Sequence, residues 1–519
     1  MKTCEKIAGK ITGEDNRQML LYTFLCGLVA HGVMLFNKLS WHDDLEHGFK
    51  LLLEKPVAMG RWMRAYLAWF VAKVFGGGYN LSMPLFHGLF SLLFIAAFSC
   101  IVAELFDIRQ KGMRMVLCGL MVTFPVVTST FGYMFTAPYY FLALVLAGAA
   151  VYVIRNKTGP VRFLGGALCV CCSLGIYQSY FAVTVSLVVI RIIFDIADGR
   201  FASLGTIVKR VVHDIGMCVV GLALYYVIWK VSMKLLGLSA SDYQGISTIG
   251  KAGLSGMLKG ALTTYKRFFL RFRLPEENVY PMGIKYVQML ALGLSAVCGL
   301  ILVVRRAKKS VVQAVVLALL IAILPMCFNL IYLMTATATG AWIHTLMLYG
   351  QAMLYVFLIC AVSRLFADRP RLARASRGVV IAVLGLLIFM NTYLSNSCYM
   401  KAEMMQQQVI TDMTVLVARI KSTEGYNDKM PVSFLMTGKR DATFPKNSYF
   451  SKLKLVPFEN ISPYHNKRNL VNTLEHWCGF APEFVSSSRF KNLPEVEDMP
   501  DYPDDGSIRI IDDTVVIKW

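Results

Sequence analysis

Two adjacent carboxylates, Asp43 and Asp44, follow Trp41 and His42 near the start of the chain. Neighbouring side chains diverge and cannot aim at one point, so such a pair divides the work: one carboxylate, Asp44 or failing that Asp43, takes a proton as general base, and the other orients it. Farther along, Lys259, Lys266 and Arg273 recur every seven residues and share one face of a helix, with Arg267 and Arg271 adding to the charge. Cations in that arrangement stabilise a phosphate oxyanion, bound or departing. A base for a hydroxyl and cations for a phosphate are the parts required to displace a phosphate leaving group. Each set also has a plainer account. Ser40 followed by Asp43 approximates a capping box, and acids in a first turn complement the helix dipole. The basic stripe suits anionic lipid headgroups equally well. Trp41 and Trp62 are the type of residue that anchors at a membrane interface, and His42 and His47 lack the companions of a metal site. Two carboxylates are a thin ligand set for a divalent ion, so no cofactor is expected.

The elements that must position these residues are membrane helices. Of 519 residues, 56% are hydrophobic and only 16% charged, and the mean hydropathy is +0.54, too apolar for a soluble fold. In such a chain a net charge of +21 is expected from Lys- and Arg-rich cytoplasmic loops rather than from nucleic-acid binding. The 13 cysteines show no CxxC pair or ligand spacing and read as small apolar residues. Stretches able to cross a core about 30 Å thick lie near 18–36, 84–105, 115–132, 137–154, 163–176, 181–195, 211–235, 288–304, 311–334, 343–363 and 378–395. The fifth and sixth are one apolar run broken by Tyr177-Gln178-Ser179-Tyr180, a tight turn at a membrane face. Nothing after the first span resembles a cleavage site, so that span is expected to be retained.

Alternate loops divide by charge. One set carries Arg109, Lys111 and Arg114; Arg155, Lys157 and Arg162; Arg200, Lys209 and Arg210; Arg305, Arg306, Lys308 and Lys309; and Arg364 through Arg377. These face the cytoplasm by the positive-inside rule, which puts the N-terminus in the cytoplasm and the C-terminus outside. Outside then lie the large segments 37–83, 236–287 and the tail beyond about 396. The first is expected to form a short amphipathic helix through Leu45, Phe49 and Leu52. The second forms a helix from Ser255 to Arg273 with Leu258, Leu262, Tyr265, Phe269 and Phe272 as its apolar stripe. The span interiors contain no buried carboxylate or lysine, since Glu104, Asp195, Asp214 and Lys230 fall near predicted ends; that disfavours an ion-coupled transporter.

The tail changes character. Residues 401–422 suit an amphipathic helix, Val432–Met436 a buried strand, Leu470–Trp477 a further helical turn or two, and Ser507–Ile517 a hairpin around Asp512-Asp513. Together these make a small α/β domain of roughly 100 residues outside the membrane. It has no nucleophile motif, Gly-rich phosphate loop or repeat. Cys398 and Cys478 are candidates for a disulfide in an oxidising compartment.

Trp41-His42-Asp43-Asp44, Gly60-Arg61-Trp62, Tyr177-Gln178-Ser179-Tyr180 and Asp504-Asp505-Gly506-Ser507-Ile508 occur in an order that resembles bacterial membrane glucosyltransferases of the phage-type O-antigen-modifying group, the Gtr type II-like family. The resemblance covers most of the membrane part. It implies a GT-C architecture for the all-α membrane domain, which the spans above put at about 11 transmembrane helices in residues 1–400, with the extracytoplasmic α/β domain in 401–519. It also implies an inverting transfer of a hexose, glucose in this family, from a polyprenyl-phosphate donor to a surface polysaccharide on the outer face of the cell membrane. Asp43 and Asp44 match the family's acidic pair and Arg61 the arginine beyond it; Arg61, Trp62, Tyr177 and Gln178 are expected at the substrate. The stripe of Lys259, Lys266 and Arg273 is not part of the resemblance and rests on spacing alone. The rival readings are a lipid or polysaccharide transporter or flippase, and a noncatalytic envelope-assembly protein.

Overall fold

The computed structural model describes residues 13–39, 42–47, 53–75, 81–155, 159–241, 254–270, 281–334, 343–366, 368–437, 443–453, 455 and 467–519. Among these, nine helices are long and apolar enough to cross a membrane, and the shorter apolar helices Pro160–Ile176 and Tyr349–Leu365 accompany them. They coincide with the stretches selected by hydropathy. In chain order the helices used below are α1 (Glu14–Phe36), α2 (His42–His47), α3 (Glu54–Ala58), α4 (Trp62–Phe75), α5 (Pro84–Leu105), α6 (Lys111–Thr123), α7 (Pro125–Phe131), α8 (Ala137–Val153) and α9 (Pro160–Ile176). There follow α10 (Phe181–Ala197), α11 (Leu204–Leu235), α12 (Leu254–Leu270), α13 (Met282–Ala307), α14 (Val311–Phe328), α15 (Leu330–Met334), α16 (Met353–Leu365), α17 (Pro370–Ser422) and α18 (Lys467–Trp477).

Lipid tails are as apolar as leucine, so bundle cohesion comes from close packing and internal hydrogen bonds. The break between α6 and α7 illustrates this. Pro125 has no N–H to offer the Met121 carbonyl, and the turn at Phe124 diverts the next carbonyl, that of Val122. Both oxygens find side chains on other helices: the Tyr349 hydroxyl donates to Met121 at 2.6 Å, and His31 Nε2 donates to Val122 at 2.8 Å. With Nε2 carrying the proton, His31 Nδ1 accepts from the Tyr399 hydroxyl at 2.7 Å. The kink therefore ties α1, α6 and α17 together.

The cation-rich loops converge at one end of the bundle. Arg114 pairs with Asp15, Arg155 with Glu104, and Arg364 with Asp198 and the Phe106 carbonyl. Asp214 proves fully buried, where the sequence placed it merely near a helix end. Its carboxylate binds Arg191 from α10 and Arg210 one turn before it, and Arg210 also donates to the Ile154 carbonyl that closes α8. It is thus shielded by protein at the level of the loops. Hydropathy cannot see this, because it reports position along one helix and not what packs beside it.

The opposite end holds α2, α3, α4 and the C-terminal unit. The last span and the helix expected at 401–422 are one uninterrupted helix, α17, whose far half supplies Val409, Met413, Leu416 and Ile420 to the core of that unit. A three-stranded sheet completes it: β1 (Val432–Leu435), β2 (Ile508–Ile511) and β3 (Thr514–Lys518), with β3 central, parallel to β1 and antiparallel to β2. Asp512 and Asp513 both take positive φ in the hairpin turn, the conformation a two-residue connection demands. Cys398 and Cys478 are free thiols, contrary to the pairing considered above. Cys398 lies midway along α17, whereas Cys478 neighbours Thr414 on the same helix, about 24 Å farther along it.

Candidate active site

Gly60 makes the turn on which the site is built. Its φ is +75°, and a Cβ there would lie 2.4 Å from the Tyr225 hydroxyl and 2.7 Å from Gln178 Nε2, so both conformation and space exclude other residues. Gln178 holds this turn directly, donating to the Met59 carbonyl at 2.9 Å and to the Tyr225 hydroxyl at 3.1 Å. Trp229 adds a bond to the Val57 carbonyl at 2.8 Å. The turn is thereby clamped to the junction of α9 and α10 and to α11.

From the turn, Arg61 donates to the Tyr140 hydroxyl at 3.1 Å, with its guanidinium 5.2 Å from the centre of the Tyr177 ring. Tyr140 and Tyr177 stack at 4.1 Å, and Tyr180 and Tyr349 continue the aromatic cluster edge-on. Trp62 is buried against Gly175 of α9, so it is not the interface anchor that its residue type also suited. In the first turn of α4, Arg64 is only 8% exposed and lies 5.7 Å from the Phe135 ring centre. Burial pushes its guanidinium below the ordinary arginine pKa; Tyr140 opposes that shift and the neighbouring charge of Arg61 adds to it.

The acidic pair sits on α2, of which the structure describes His42–His47; the remainder of the expected amphipathic helix, through Phe49 and Leu52, lies outside the described residues. Asp43 is half-buried. Asp44 is 2% exposed and forms an ion pair with Lys38, which follows α1. Asp44 is therefore not an exposed first-turn acid, because α2 is roofed by α18 of the C-terminal unit. Asn472 of α18 donates to the Leu45 carbonyl at 2.6 Å.

Lys259 and Lys266 are exposed on α12, whose main neighbours are α14 and α15; Arg273 lies outside the described residues. The apolar stripe of α12 only partly faces the protein. Leu258, Leu262 and Phe269 are exposed while Thr264 and Phe268 are buried, the arrangement of a helix whose apolar face meets lipid. The Tyr265 hydroxyl donates to the Ala322 carbonyl of α14. Between α12, α13, α14 and α16 is a cavity of about 740 Å³ lined almost wholly by carbon, including Phe268, Gly293, Leu324, Phe328 and Phe357. Phe269 and Met289, both half-exposed, stand on its rim.

The family described as Glucosyl transferase GtrII matches residues 32–357. The chain belongs to this glucosyl transferase family. No curated protein and no solved structure gives a significant match. The GtrII match runs from α1 into α16 and so includes α2, the Gly60 turn, Tyr177-Gln178 and α12; the C-terminal unit lies beyond it.

Of the residues singled out in the sequence, the structure brings together Arg61, Trp62, Tyr177 and Gln178 around one turn, and leaves Lys259 and Lys266 on a separate helix. Sequence reasoning passed over Arg64, Tyr140 and α4 itself. The available signal was one cation in the run Trp62-Met63-Arg64-Ala65-Tyr66-Leu67, a placement that is costly without a partner.

Proposed function

We propose that this glucosyl transferase is a GT-C-type membrane enzyme that moves glucose from a polyprenyl-phosphate carrier to a surface polysaccharide, with inversion, on the outer side of the membrane. The observation that carries the reading is the apolar cavity under α12. A glucosyl donor in nucleotide form has no use for a carbon-lined chamber of this size beside lipid, whereas an isoprenoid chain fits it chemically. The exposed lysines of α12, Lys259 and Lys266, would attract the carrier's phosphate along the membrane surface.

In this reading residues 1–400 form the catalytic membrane domain and 401–519 an extracytoplasmic domain that roofs the acidic helix. Asp43 takes the proton of the acceptor hydroxyl as its oxygen attacks the anomeric carbon. The bond from that carbon to the phosphate oxygen breaks, and the electron pair leaves with the carrier phosphate. Asp44, held by Lys38, fixes the orientation of α2. Tyr177 and Tyr140 offer flat faces to a sugar ring, with Arg61 beside them, and Trp62 and Gln178 keep the turn in place. The aromatic cluster, the acids and the C-terminal unit share one end of the bundle, away from the cation-rich loops, which supports chemistry on the outer side.

Mass analysis of cell-surface glycans with and without the protein tests this. A gain of one hexose per modified unit is expected. Unchanged glycans accompanied by altered export of a lipid-linked precursor would instead favour a transporter.

A further inference from the structure

Arg64 is a buried cation with no carboxylate partner among the described residues, and its Nε has no hydrogen-bond acceptor. It sits in the first turn of α4, a helix of 14 residues with no acidic residue in that turn. Among the described residues the charges at this spot are positive: Arg64, and Arg61 immediately before the helix, at the positive end of the helix dipole. Helical side chains lean toward the N-terminus, which brings the head of Arg64 back toward Arg61. The described neutral company is the Tyr140 hydroxyl and the Phe135 ring. Burying a guanidinium in such surroundings is unfavourable unless an anion joins it. The turn that presents the two arginines is already clamped by Gln178 and Tyr225, so the arrangement is set before any ligand arrives.

We propose that Arg61, Arg64 and the first turn of α4 form a seat for a phosphate oxyanion, which, resting on the function proposed above, is the phosphate of the isoprenoid carrier. Guanidinium forks match phosphate oxygens two at a time, and helix N-terminal N–H groups point at the same anion. The lysines of α12 then steer the carrier electrostatically, while the buried arginines hold its phosphate during departure.

The test is a binding titration of the full-length chain in detergent, with a polyprenyl monophosphate, inorganic phosphate and phosphatidylglycerol as separate probes. Wild type is expected to bind the polyprenyl monophosphate. Arg64→Met should weaken that binding by roughly 10- to 100-fold, the worth of one or two charge-assisted hydrogen bonds. Arg64→Lys, which keeps the charge but not the fork, should fall between. The ligand-free melting midpoint of Arg64→Met should stay level or rise, because an unneutralised buried charge has gone; a structural arginine would give a drop. Equal binding of the polyprenyl monophosphate by wild type and Arg64→Met overturns the seat and leaves the lipid donor standing. Arg64-dependent binding of inorganic phosphate alone keeps the seat and removes the lipid donor. Equally tight, Arg64-dependent binding of phosphatidylglycerol overturns the assignment to the carrier, and failure of wild type to bind any of the three overturns the seat outright.

Discussion

Both ends of the bundle bury arginines, and they do so differently. At the end with the cation-rich loops, Arg191 and Arg210 converge on Asp214, and Arg210 finishes on a backbone carbonyl. At the other end Arg64 faces tyrosine, phenylalanine and a second arginine. A buried charge with its counter-charge supplied by the fold is complete as it stands. A buried charge without one is waiting for a ligand. The difference lies in where the acids fall: Asp214 is on the helix that packs against Arg191, whereas at the other end Asp43 and Asp44 are on α2, with Asp44 bound to Lys38.

The largest expected effect is at the complete end. Asp214→Asn leaves Arg191 buried without its partner and should cost about 3–5 kcal/mol of stability, measured as a lower melting midpoint and a lower level in the membrane. Affinity of the surviving protein for a polyprenyl monophosphate should be unchanged. A loss of affinity with full stability would dissolve the contrast between the two ends.

Next comes the acidic pair. Asp43→Asn preserves size and much of the hydrogen bonding but removes basicity, so transfer per unit of membrane protein should drop about 10²-fold or more. Asp44→Asn should differ in kind: the Lys38 pair weakens, stability falls by about 1–3 kcal/mol, and activity falls with it. If Asp44→Asn alone abolishes turnover in protein of normal stability, the roles of the two acids are exchanged. Near-normal transfer by both single variants and by the double variant would return the pair to a capping role.

The smallest effect belongs to α12. Replacing Lys259 and Lys266 by serine should weaken apparent donor affinity, since each cation near an anionic surface contributes about 1 kcal/mol. The defect should shrink at high ionic strength and leave the melting midpoint alone. A salt-independent defect would mean that the lysines touch the phosphate directly.

How much of this was legible differs by element. Every hydropathy-defined stretch became a helix, because a bilayer imposes length and apolarity on each span separately. Tyr177-Gln178 and Gly60-Arg61-Trp62 were visible as polar or turn-forming interruptions in apolar surroundings, and the fold joins them. Arg64 was visible only as a cation in an apolar run, and its burial shows only when α9 and the start of α8 close over it. The burial of Asp44 depends on Lys38 and on α18, more than 400 residues later in the chain; the bond from Asn472 to the Leu45 carbonyl leaves no trace in local pattern. The stripe of α12 had the right periodicity, but periodicity does not say whether an apolar face meets protein or lipid.

The most direct test of a lipid-phosphate glucosyl transferase is to offer the purified full-length chain two radiolabelled donors in parallel, a polyprenyl-phosphate glucose and a nucleotide-linked glucose, with a surface polysaccharide extract as acceptor. Label should pass to the polysaccharide from the lipid donor and not from the nucleotide sugar, and the transfer should collapse in Asp43→Asn. Transfer from the nucleotide sugar with the lipid donor inert would contradict the proposed chemistry.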